Sequence, residues 1–177
     1  MKKQLKKNMK KNTVMIGCAV VAAMIATSCG PTQKDAIRYN DELIGIERNL
    51  TTTHEGFINQ LDAHNLDSLK IMQKVFAEKS KQALADCEKM KDFNGKRAYL
   101  DASIAYFKVI NGLAEKECLQ MTEILSKDAD QITEEENDRL TMLVTKFDND
   151  YEKELTKVQE AQKVFAAEWK FEIDNSK

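Results

Sequence analysis

Residues 100–125 read LDASIAYFKVINGLAEKECLQMTEIL. Leu100, Ile104, Phe107, Asn111, Ala114, Cys118, Met121 and Leu125 recur in this stretch at alternating steps of four and three. That spacing marks one face of an α-helix, whereas a half-buried strand needs alternation at every second residue. Only Asn111, followed by Gly112, interrupts the apolar face. A buried amide needs partners, so Asn111 either fixes helix register or lines a small polar pocket.

The same rhythm extends in both directions. Residues 33–64 carry Ala36, Tyr39, Leu43, Ile46, Leu50, Phe57 and Leu61, and residues 67–91 carry Leu69, Met72, Phe76, Ala83, Cys87 and Met90. Residues 134–173 carry Leu140, Val144, Phe147, Tyr151, Leu155, Val158, Phe165, Trp169 and Ile173. Pro31 is the single proline, so no proline breaks a helix from within after it.

Turn chemistry marks the joints. His64 to Ser68 supply polar cap residues, Asn94-Gly95 tolerates positive φ, and Thr133 with Glu136 has capping-box spacing. Thr51-Thr52-Thr53 marks a pause or kink in the first segment. Short joints bring successive helices back alongside one another. The expected fold is therefore an all-α, up-down-up-down antiparallel four-helix bundle with a long C-terminal helix, spanning residues 34–177.

The front of the chain differs in kind. Residues 1–12 hold six lysines and no acid, and Thr13 to Ser28 is uncharged and mostly apolar. Such a run is short for a membrane span, which wants about 20 residues, and fits a signal-peptide core. Ala26-Thr27-Ser28-Cys29 follows. Small residues directly before a cysteine resemble the lipobox of bacterial lipoproteins, with Ala26 standing where leucine is commonest. The resemblance implies a signal peptide over 1–28 cut between Ser28 and Cys29, lipid on Cys29, and a short linker over 29–33. An ordinary secretory signal, or an uncleaved membrane anchor, with Cys29 incidental is the competing reading.

Beyond residue 28 the chain holds 21 basic and 29 acidic residues, a net −8 against −2 for the whole. That balance speaks against nucleic acid as a partner. His54 and His64, ten residues apart on one helix, do not chelate one ion, and neither Glu-x-x-His nor His-x-x-x-His occurs. No metal, no cofactor and no catalytic set is expected, so the chain reads as a non-enzyme. Cys87 and Cys118, in core register and about 22 Å apart along a helical hairpin, read as inert thiols rather than a disulfide. Gly45 and Gly56 share a face of the first helix, where they permit close helix approach or admit a ligand or partner.

After the lipobox, Ala36-Ile37-Arg38-Tyr39-Asn40-Asp41 and the long helices running to an aromatic tail resemble small surface or envelope lipoproteins of Bacteroidota-type bacteria. The resemblance implies a cell-envelope location with lipid anchoring, the outer membrane foremost, on either its periplasmic or its surface face. Two functions follow as expectations. One is a non-enzymatic bundle held to the lipid bilayer through acylated Cys29 that binds an envelope or host protein. The other is a bundle that holds a small apolar ligand or cofactor between helices, with Asn111, Gly45 and Gly56 at the pocket.

Overall fold

The structure is a computed structural model and describes residues 30–63 and 65–173. The signal segment 1–28, Cys29 and His64 lie outside the described residues. Helices cover 84% of the described chain, with no strand among them. They are α1 (Gln33–Asp62), α2 (Leu66–Lys89), α3 (Ala98–Glu115), α4 (Glu117–Leu125) and α5 (Glu134–Trp169), with a 3₁₀ turn at Ala129–Gln131.

Each joint has a local cause. Thr133 closes the expected capping box: its hydroxyl accepts from the Glu136 N–H at 3.2 Å, and the Glu136 carboxylate accepts from the Thr133 N–H at 3.2 Å. A second box, at Thr32 and Asp35, starts α1. Asn65 caps α2 by accepting from the Ser68 N–H at 3.3 Å. Between α2 and α3, Asn94 (φ 55°) and Gly95 (φ 76°) make the turn, and Phe93 and Lys96 pair across it. A side chain at Gly95 would be strained whatever space surrounds it.

Two sequence expectations change. Thr51, Thr52 and Thr53 do not interrupt α1, because each hydroxyl donates to the carbonyl four residues back, at 3.0–3.2 Å, within an unbroken helix. The third segment is instead divided at Lys116 (φ −115°, ψ −66°) into α3 and α4. Lys116 N–H still bonds the Gly112 carbonyl and Gln120 N–H the Lys116 carbonyl, so the division is a kink and not a turn. The apolar stripe runs on across it, and Cys118 and Met121 stay buried.

The core follows the sequence stripes. Leu43, Leu50, Phe57, Leu69, Phe76, Leu100, Phe107, Ile110 and Met121 are all buried in one cluster. α1 packs along α2, α2 along α3 and α3 along α5, with α4 wedged against α5 and α2. α1 also touches α5. No described helix is long and apolar enough to cross a membrane.

Candidate functional site

The inner seam of α1 carries polar residues among its apolar ones. Ala36, Asn40, Leu43, Glu47, Leu50, His54 and Phe57 alternate steps of four and three, so Asn40, Glu47 and His54 sit one heptad apart in an otherwise apolar row. Each meets a different fate.

Asn40 is satisfied. Its Oδ1 accepts from the Tyr99 hydroxyl at 3.3 Å and from Gln162 Nε2 at 2.9 Å, tying α1 to α3 and α5. Ser103 Oγ, one turn along α3, donates to the Tyr99 carbonyl at 2.9 Å.

Glu47 opens onto a cavity of about 230 Å³ where α1, α3 and α5 diverge. Its walls include Leu43, Tyr99, Ser103, Tyr106, Leu155, Val158 and Gln162, with Ile173 at one side. Burial raises the Glu47 carboxyl above its ordinary value, opposed by the Thr51 hydroxyl and the Arg48 charge. No ion pair to Glu47 occurs among the described residues. Burial also raises the Tyr99 and Tyr106 phenols, with the nearby Glu47 charge adding to the shift.

His54 is held among rings, at 5.5 Å from Phe76, 5.0 Å from Phe147 and 4.9 Å from Tyr151. Its Nε2 is buried without a hydrogen-bond partner. Desolvation lowers its pKa from 6.5, against the pull of Glu55 and Asp148. A neutral imidazole is therefore part of the fold. Stability from this ring is fully present above about pH 6.5 and falls as pH drops below it, because the unfolded chain takes the proton first. His54→Phe keeps the stacking and removes the proton site. Its melting temperature relative to the unaltered protein should rise on going from pH 7.5 to 5.5, by about 2–4 °C. An offset that is the same at both pH values would contradict the buried neutral ring.

The residues singled out from sequence are dispersed. Asn111 is half-buried at the edge of the α3 stripe, and its Oδ1 accepts from Ser80 Oγ of α2 at 3.2 Å. Gly56 lies close against α2, where a Cβ would stand 2.6 Å from the Met72 methyl. Gly45 borders an open groove with Arg48 and Phe171 and touches no other helix. None of the three lines the cavity at Glu47. Cys87 and Cys118 are free and buried. Burial raises both thiols, that of Cys87 to about 12, which keeps them protonated and unreactive. Among the described residues, no three His, Cys, Asp or Glu side chains gather as a metal site. The heptad spacing of Asn40, Glu47 and His54 was the available signal for the seam. It is masked in the sequence by Tyr39 and Ile46, which form an equally regular apolar row beside it.

No family model, curated protein or solved structure matches this chain.

Proposed function

We propose that this chain is a non-enzymatic, lipid-anchored protein of the cell envelope that serves as an interaction module, with acyl chains on Cys29. One observation carries the reading. The small-residue site Ala26-Thr27-Ser28-Cys29 lies only three residues ahead of α1, whose capping box begins at Thr32. Gly30, Pro31 and Thr32 reach about 10 Å at full extension, so an acylated Cys29 holds the helical body directly against its membrane, the outer membrane in this reading. Each buried acyl CH₂ contributes about 0.8 kcal/mol, which makes multiple chains a lasting anchor.

The body is taken to run up-down-up-down. As residue numbers rise along α1 through Gln33, Asn40 and His54, the partners fall from Lys170, just past the end of α5, through Gln162 to Tyr151. Ser80 meets Asn111 while the earlier Gln73 meets the later Ala114, the same reversal between α2 and α3. The non-enzymatic part rests on His54, walled by aromatic rings, and on thiols kept protonated.

The test is Cys29→Ser. The variant should leave the membrane fraction or accumulate as an unprocessed precursor. A processed variant that still partitions into detergent would remove the anchor. The cavity at Glu47 favours a second reading, in which the bundle carries a small molecule between its helices. A native mass spectrum of the purified protein should then show a retained adduct.

A further inference from the structure

We propose that the cavity between α1, α3 and α5 binds a small organic cation, an amine on an apolar or aromatic body, with the Glu47 carboxylate as its counter-ion. The inference rests on the second reading above and names its ligand class.

Of the donors around the cavity, Tyr99 Oη and one N–H of Gln162 are committed to Asn40 and Ser103 Oγ to the Tyr99 carbonyl, while Gln159 also lines it. Acceptor capacity remains on the Gln162 carbonyl oxygen, the hydroxyl lone pairs and the Glu47 carboxylate. These acceptors suit a ligand that donates. The charge makes the choice, since Glu47 is half-buried and no lysine or arginine pairs with it among the described residues. Arg48, next along the helix, is exposed.

The remaining surface suits the rest of such a ligand. Leu43, Leu155 and Val158 offer apolar contact, and the Tyr99 and Tyr106 rings offer faces that attract a cation. A space of about 230 Å³ is larger than the roughly 150 Å³ engineered cavity that accepts benzene, so a one-ring amine fits. An unpaired carboxylate at this depth raises the cost of the empty state. A bound cation relieves that cost by drawing the carboxyl back to its charged form.

Calorimetric titration of the purified protein with phenethylammonium, and separately with 2-phenylethanol, tests the assignment. The two probes share shape and differ in charge. The amine should bind roughly tenfold or more tightly than the alcohol, and Glu47→Gln should erase that preference. Because the amine-against-alcohol comparison uses the unaltered protein, it stands whether or not the variant folds. Equal binding of both probes, or no binding of either at millimolar concentration, overturns the cation assignment. A preference for the amine that survives in folded Glu47→Gln overturns the role of Glu47. A retained neutral adduct in the native mass spectrum, with no amine preference, would leave the carrier reading standing and the cation inference refuted.

Discussion

Phe76→Ala should cost about 3–5 kcal/mol and lower the melting temperature by roughly 10 °C. Phe76 has no exposed surface and stands where three helices meet. Its ring lies 6.2 Å from Phe57 of α1, 6.4 Å from Phe147 of α5 and 5.5 Å from His54. Truncation removes the transfer energy of a benzyl group and leaves a void lined by rings that rotate but do not close it. The loss should show as a single cooperative far-UV melt at lower temperature, with native helicity below it. A melting temperature within about 2 °C of the unaltered protein would mean that Phe76 is not part of the packed centre.

Phe165→Ala should act at the other aromatic cluster, costing about 3 kcal/mol and leaving a spectroscopic mark. Phe165 sits within 5.4–6.5 Å of Tyr39, Phe93, Tyr99, Trp169 and Phe171. Those rings come from the start of α1, the α2–α3 turn, the start of α3 and the end of α5. Trp169, the single tryptophan, packs edge-on to Phe93 at 4.9 Å. Losing the central ring should loosen this end of the bundle and move Trp169 emission to longer wavelength, with the helix signal retained. Unchanged emission in the folded variant would show that Trp169 is held by Phe93 alone.

Local chemistry is what the sequence determined by itself. Apolar steps of three and four set the helices, since an amphipathic face of that period is buried only as a helix. Thr133, Asn94-Gly95 and Asn65 set the joints, because each supplies a cap or a positive φ within a few residues of where it is needed. Period also named most of the core, from Leu43 and Phe57 to Met121 and Phe147.

Relations between helices were decided only in three dimensions. Asn111 lay in the right register, yet whether it lined a pocket depended on what α2 placed opposite, and α2 placed Ser80. Gly45 and Gly56 share a face, but only Gly56 has a helix against it. The kink at Lys116 carries no proline or glycine of its own to announce it. Glu47 and its cavity were hidden because a one-dimensional pattern tells which side of a helix is inward but not how far away the next helix stands. That distance is set by the bulk of all the side chains between them. At the cavity lined by Tyr99, Tyr106 and Leu155, Glu47 borders open space in place of a neighbour.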